Sequence, residues 1–274
     1  PVYFFDRCEA VSKSPLANFT RFFWPTTVRA MIALAVAMSS AVGLGYLGGM
    51  RLGIISAFHG RHHLTELWAE HTSGFGLPVF VAITLDDVPN ILTAEKHGFR
   101  FATMPNHPVG TKFQAALDMA IADGCDRVMI LPSDDFVSPE WIDRALTFDG
   151  TYFIPQRIAI HSPKEGTFAL TTNGGSCTRY GAGRVIDRSV IERVGHLWPG
   201  ERNRSLDSES HGRINACGVR CVAVTTKHIP LTDVKTGENI WPWRKWRGGG
   251  HKCSADQALH MVSPSIRERI AALC

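Results

Sequence analysis

Residues 128–146 read VMILPSDDFVSPEWIDRAL, and this stretch decides the fold. Val128–Leu131 is a short apolar run of the kind that forms a strand buried on both faces. It passes through Pro132 and Ser133 into two adjacent aspartates, Asp134 and Asp135, and a helix is expected a few residues later, around Trp141. Two bare carboxylates at the end of a buried strand repel each other and lose hydration, so each raises the other's pKa unless a positive charge lies between them. A divalent cation is the usual remedy. A competing reading makes the aspartates caps of the helix containing Trp141, which accounts for one Asp better than for two.

Working outward toward the N-terminus, RLGIISAF (51–58) and LPVFVAIT (77–84) are two further buried strands, and FRFATMP (99–105) is a shorter third. RHHLTELWAEHT (61–72), ILTAEKHG (91–98) and TKFQAALDMAIADG (111–124) have helical spacing, the last two closing on Gly98 and Gly124. Strands alternating with helices at this pace predict βαβ units and a largely parallel sheet covered on both faces. Polar residues collect just after the strands: Ser56, Asp86, Asp87, Asn106, Asp134 and Asp135. In an open α/β sheet those carboxyl ends are where a ligand binds.

Beyond Leu146 the pattern changes. TYFIPQRIAI (151–160) and GTFALTTN (166–173) predict a strand pair joined through HSPKEG, and GAGRVIDRSVIERVG (181–195) a glycine-rich turn and a short helix. RSLDSESHGRINACG (204–218) predicts another helix, VRCVAVTTKHIP (219–230) a strand and SPSIRERIAAL (263–273) a terminal helix. The chain thus divides into a nucleotide-type half (50–150) and a mixed half (151–274) that completes the site within one catalytic domain.

Composition sets the bounds. The chain has 274 residues, 45% hydrophobic and 20% charged, enough for one large core. A net charge of +4 is too modest to argue for nucleic-acid binding by itself. The seven cysteines are odd in number and scattered, and Cys217 and Cys221 lack a second pair at zinc spacing, which points to free thiols in a reducing, cytoplasmic compartment. Residues 1–49 differ from the rest: Ala30–Met50 carries no charge and is bracketed by Arg29 and Arg51. A dispensable leader, a membrane anchor of suitable length and a packed helix are three readings of it. The globular domain is expected to begin near residue 50.

LPSDDFVSP resembles the metal motif of GT-A glycosyltransferases, in particular family-2-like enzymes, in its x-Asp-Asp form. NHPVGTKFQAALDMA, ISAFHGRHHL and ITLDD resemble the family's nucleoside-side segments, and VGHLWPGERNRSLDSESHGRI its acceptor side. The likeness covers about Leu52 to His228 at the level of pattern, and departs at Ser133, where Asp-x-Asp has its first Asp, and at the split pair Asp207-Ser208-Glu209. It implies a GT-A-like, Rossmann-type mixed sheet flanked by helices, a UDP- or GDP-sugar donor, and Mn2+ or Mg2+ as cofactor. It implies Asp135 as metal ligand, with Asp134 on ribose or metal. Ser56, Ala57 and Asp87 would face the nucleoside, with Asp86 as alternative, beside Asn106 and Lys112, which would neutralise phosphate or hold the base-side loop. Asp207 would be the base of an inverting transfer, with Glu209 in reserve. His228, closing an apolar strand, is a candidate third metal ligand.

WPWRKWRGGGHK (241–252) interleaves Trp241 and Trp243 with Arg244 and further cations, a pattern that suits stacking on sugar rings or bases beside phosphate. It allows a polyanionic acceptor such as DNA carrying hydroxymethylated pyrimidines, since small enzymes of the resembled type in phages are similar to enzymes that glycosylate such bases. A cell-surface or lipid-linked glycan is the alternative, favoured by an anchor at Ala30–Met50. Two other classes compete: a sugar nucleotidyltransferase, for which SAFHGRHH lacks the glycine-rich triphosphate loop, and a non-catalytic nucleotide- or glycan-binding domain.

Overall fold

A computed structural model of the chain describes residues 49–173, 180–200, 202–237 and 251–273. From Met50 onward they belong to one compact unit. Most of Ala30–Met50, and the whole of Trp241, Trp243 and Arg244, lie outside the described residues. Among the described residues no helix is long and apolar enough to cross a membrane.

The first half is built of β1 (Leu52–Phe58), α1 (His62–Ser73), β2 (Val79–Thr84), α2 (Val88–Lys96), β3 (Arg100–Met104), α3 (Val109–Ala122) and β4 (Arg127–Ile130). The short β5 (Asp135–Val137) and α4 (Pro139–Thr147) follow. Strands β1, β2 and β4 are almost wholly buried, because α1 and α3 bring apolar faces to the sheet: Leu64, Leu67 and Trp68 from one, Ala116, Leu117 and Ala120 from the other.

The second half contributes β6 (Tyr152–Pro155), β7 (Arg157–Ser162), β8 (Thr167–Thr172), β9 (Arg184–Asp187), α5 (Arg188–Val194), α6 (Leu206–Ala216), β10 (Val222–Val224) and β11 (Leu231–Val234). It closes with β12 (His251–Lys252), α7 (Ala255–Ala258) and α8 (Pro264–Ala271). Two sheets result: a seven-stranded sheet ordered β10-β6-β9-β4-β1-β2-β3, and a five-stranded sheet ordered β12-β8-β7-β11-β5. In the first, β1 lies parallel to β2 on one side and to β4 on the other, while β9 runs antiparallel to β4. The chain reverses its direction of travel across the sheet at β1, which opens a crevice at the carboxyl ends of β1 and β4. The mixed α/β sheet flanked by helices is therefore present.

The structure revises several details. Asp134 and Asp135 follow β4 by a short turn, and Asp135 opens β5 in the second sheet. Arg184–Asp187, read from sequence within a glycine-rich turn and the helix after it, is a strand. VRCVAVTTKHIP is a strand of three residues followed by irregular chain, with β11 beyond it. The helix containing Trp141 is capped by Ser138, whose Oγ accepts from Trp141 N at 3.1 Å, with Pro139 in the first turn. The aspartates do not cap it.

Candidate active site

A cavity of about 920 Å3 lies at the crevice, walled by the loops after β1, β3 and β4, the start of α3, the turn before β9, the start of α6 and the end of β11. One wall carries the charge predicted around Asp134 and Asp135. Antiparallel pairing of β5 with β11 sets Asp135 directly opposite Asp233. Like charges in that register destabilise a sheet, and both carboxylates are almost enclosed. Burial, then repulsion from Asp233 and Asp134, pushes the Asp135 pKa well above the carboxylate range, and the charge of Asp207 adds to it. Burial lifts Asp233 to about 6 against the pull of Lys235.

Two cations answer these acids. Arg61 Nη1 lies 2.9 Å from Asp134 Oδ2 and its Nη2 donates to Ser133 Oγ at 3.1 Å. Burial opposes the charge of Arg61, but Asp134 outweighs it and raises the pKa. Lys235 Nζ lies 2.5 Å from Asp233 Oδ2 and 3.8 Å from Asp134 Oδ2. Arg61 reaches this position from a left-handed backbone (φ 49°) just before α1, and Ser133 serves as an anchor for this arginine.

Three carboxylates against two cations leave one negative charge over. Asp135 Oδ1 and Asp233 Oδ1 are buried and have no hydrogen-bond partner among the described residues. Among the described residues no three His, Cys, Asp or Glu side chains are grouped to hold a metal ion. A small divalent cation that keeps water and substrate phosphate as ligands needs only one or two carboxylates, however. The orphaned oxygens of Asp135 and Asp233 fit that requirement.

The opposite end of the cavity is a floor built on Lys112. This side chain, 1% exposed, donates to Phe58 O (2.5 Å) at the end of β1, to Thr84 Oγ1 (2.8 Å) at the end of β2 and, at 3.5 Å, to Asn106 Oδ1 beyond β3. It ties three strand ends together. Burial lowers its pKa to about 8, partly offset by Asp87. Since the unfolded chain carries this lysine at about 10.5, it binds more protons than the native state between the two values. Stability is therefore expected to rise from pH 8 to pH 10, by up to about 3 kcal/mol. Urea unfolding across that range should show the rise, and Lys112→Met should flatten it; an equal slope in both proteins would refute the assignment.

The third wall carries Asp207, in the first turn of α6. Gly181 makes room for it: a Cβ there would collide with the Asp207 carboxylate. The approach to α6 is fastened to α3, because Gln114 Oε1 accepts from Leu197 N and Trp198 N, Gly110 N donates to Arg202 O, and Asn203 Oδ1 accepts from Val109 N. Phe113 and Trp198 stand in ring contact on this side of the cavity.

Of the residues singled out from sequence, Ala57, Asn106, Lys112, Asp134, Asp135 and Asp207 line one cavity. The others stand apart. Ser56 is fully enclosed within β1, without a partner for its hydroxyl among the described residues. Asp86 is exposed in a tight turn (φ 67°). Asp87 Oδ2 accepts from Gly60 N (2.9 Å) and Asn90 Nδ2 (2.8 Å), so this carboxylate braces the loop after β1. Glu209 lies near Arg202, at 3.9 Å. His228 is exposed beside His260, its backbone N–H on Glu140, and does not reach the carboxylates. A lone histidine after an apolar run is a weak signal; the residues that do reach them, Asp233 and Lys235, sit one strand later in LTDVK.

No protein-family model matches the chain, and no curated protein does. Among solved structures it is similar to the inositol-1-phosphate CTP transferase from T. maritima, at 10% identity and a TM-score of 0.44, over 82% of this chain and 97% of that one. It is also similar to glucosyl-3-phosphoglycerate synthase from Mycobacterium tuberculosis, solved with Mn2+, uridine diphosphate and phosphoglyceric acid. That match has 13% identity and a TM-score of 0.42, over 65% of this chain and 69% of that one.

Proposed function

We propose that this chain is a nucleotide-sugar-dependent glycosyltransferase that uses a divalent cation and transfers to an acceptor hydroxyl with inversion. The observation that carries the reading is the placement of the orphaned Asp135–Asp233 pair on one wall of a cavity whose other wall presents Asp207. The strand-end floor at Lys112 and Asn106 takes the nucleoside. Asp135 and Asp233 hold Mn2+ or Mg2+, which when bound stabilises the charge that develops on the departing diphosphate. Arg61 and Lys235 supply positive charge beside it. Asp207 accepts the proton of the acceptor hydroxyl while that oxygen bonds to the anomeric carbon. The bond from that carbon to the diphosphate breaks, and its electron pair leaves with the nucleoside diphosphate.

The loop after β1 favours glycosyl over nucleotidyl transfer. It holds one glycine, Gly60, and its Arg61 is committed to Asp134 and Ser133, whereas a triphosphate grip uses a glycine-rich loop with free cations. The test incubates the full chain with Mn2+ and UDP-, GDP- and dTDP-sugars, alone, with hydroxymethylated DNA and with glycan acceptors. Metal-dependent release of nucleoside diphosphate is expected, and the stimulating acceptor names the second substrate. Pyrophosphate release from a nucleoside triphosphate and a sugar phosphate would replace this reading with nucleotidyl transfer.

Gly181→Ala tests the acceptor wall. The added methyl displaces the Asp207 carboxylate, and turnover is expected to fall about 100-fold with the donor KM little changed. A donor KM that rises while kcat holds would mean that Gly181 serves the donor instead.

A further inference from the structure

Two arginines are buried in the central sheet, and they are treated differently. Arg127, 2% exposed, is fully answered: it pairs with Asp187 and donates to the carbonyls of Ala145, Phe148 and Gly150. Arg184, 0% exposed on β9, has no carboxylate partner among the described residues, nor do its Nε and Nη2 find a hydrogen-bond partner among them. Its Nη1 donates to Asp207 O at 3.1 Å and to Ser210 Oγ at 2.8 Å. The guanidinium lies 5.8 Å from the ring centroid of Tyr152. Nearby His211, whose Nδ1 is 2.9 Å from Tyr152 Oη, has its pKa lowered by burial and then by Arg184 itself, which favours the neutral ring over a second positive charge beside the guanidinium.

Enclosing a guanidinium without a counter-ion is costly, and pinning one helix turn does not require it. Ser210 Oγ already donates to Leu206 O at 2.9 Å within the same turn. What Arg184 adds is a fixed link between the turn before β9 and the residue that presents Asp207. Arg184 N donates to Gly181 O at 3.1 Å, and Gly181 is the residue against which the Asp207 carboxylate rests. Both sides of Asp207 are thus set by one four-residue turn, Gly181 below the carboxylate and Arg184 beneath the backbone.

We propose that Arg184 is the positioning residue for Asp207, holding its main chain so that the carboxylate stands over Gly181 at the acceptor side of the cavity. This rests on the assignment of Asp207 as base. The test is a double-mutant cycle on donor turnover with Mn2+, water or the stimulating acceptor receiving the sugar. It uses the parent, Arg184→Met, Arg184→Lys, Asp207→Asn and the double variant Arg184→Met/Asp207→Asn. Arg184→Gln replaces Arg184→Met in the cycle if the methionine variant does not fold.

The expected result is a loss in kcat of about 10- to 100-fold for Arg184→Met, with the donor KM within about 2-fold and part of the loss restored by lysine. In the Asp207→Asn background the same change should cost less than about 3-fold, because residues that act as a unit are strongly non-additive. Equal losses in both backgrounds would reduce Arg184 to a structural residue and overturn the proposal. An Asp207→Asn variant as active as its parent removes Asp207 from catalysis, and this proposal with it, while leaving metal-dependent donor turnover standing. No turnover of any donor by the parent overturns the transferase reading and the proposal together.

Discussion

Asp135→Asn is expected to abolish metal-dependent turnover and, at the same time, to make the metal-free protein more stable. Both effects have one origin. Asp135 is enclosed, faces Asp233 across the β5–β11 ladder, and has one oxygen without a partner. Without a cation, its ionised form is opposed by burial and by two neighbouring carboxylates. Asparagine keeps the shape and removes the charge, a gain of about 1–3 kcal/mol for the metal-free state. Mn2+ should raise the Tm of the parent and leave that of the variant unchanged. Asp233→Asn should lose the Mn2+ response too, but with a smaller gain, since it also strips Lys235 of its nearest acid. The parent's metal-free stability should fall as pH rises through about 6, where Asp233 must ionise in the native state after it has already ionised in the unfolded chain. A variant that is less stable than the parent, or that keeps the full Mn2+ shift, would show that the pair is not a cation site.

Asp207→Asn should lower kcat by about 100- to 10,000-fold, the range associated with loss of a general base. Donor binding and the Mn2+-dependent rise in Tm should persist, because Asp207 lies on α6 and belongs to neither the Lys112 floor nor the Asp135–Asp233 pair. Glu209→Gln provides the contrast. Glu209 lies outside the cavity lining and near Arg202, so turnover should stay within about 3-fold of the parent. A large loss at Glu209 with Asp207→Asn active would exchange the two roles.

The sequence makes the first half of the fold legible because β1, β2 and β4 are apolar runs spaced by helices with apolar faces, and their carboxyl ends collect polar residues. The place of Asp135 in the cavity wall is legible for the same reason: a helix cap explains one acid after a buried run better than two. The second sheet is harder to read. β9 and β11 have four residues each, RVID and LTDV, which mix charged and apolar side chains and show no period long enough to separate strand from turn. Asp233 and Lys235 are hidden for a different reason. Their importance comes from antiparallel register with β5, and no local pattern reports which distant strand a segment will join. Gly181 and Arg184 are hidden likewise, since a glycine-rich turn and a strand arginine acquire meaning only when the first turn of α6 packs against them.

The pairing of β5 with β11 also bears on how the molecule is made. The Lys112 floor uses β1, β2, the loop after β3 and α3, segments that succeed one another along the first half of the chain. The opposed carboxylates meet only when a strand near the C-terminus returns to the middle of the sequence. Loops of that length close late, and contacts between residues far apart in the chain slow folding. As the polypeptide emerges from the ribosome, the ties of Lys112 to three strand ends can form while Asp134 and Asp135 are still hydrated, and the repulsion between Asp135 and Asp233 arises only once β11 has been made and pairs with β5.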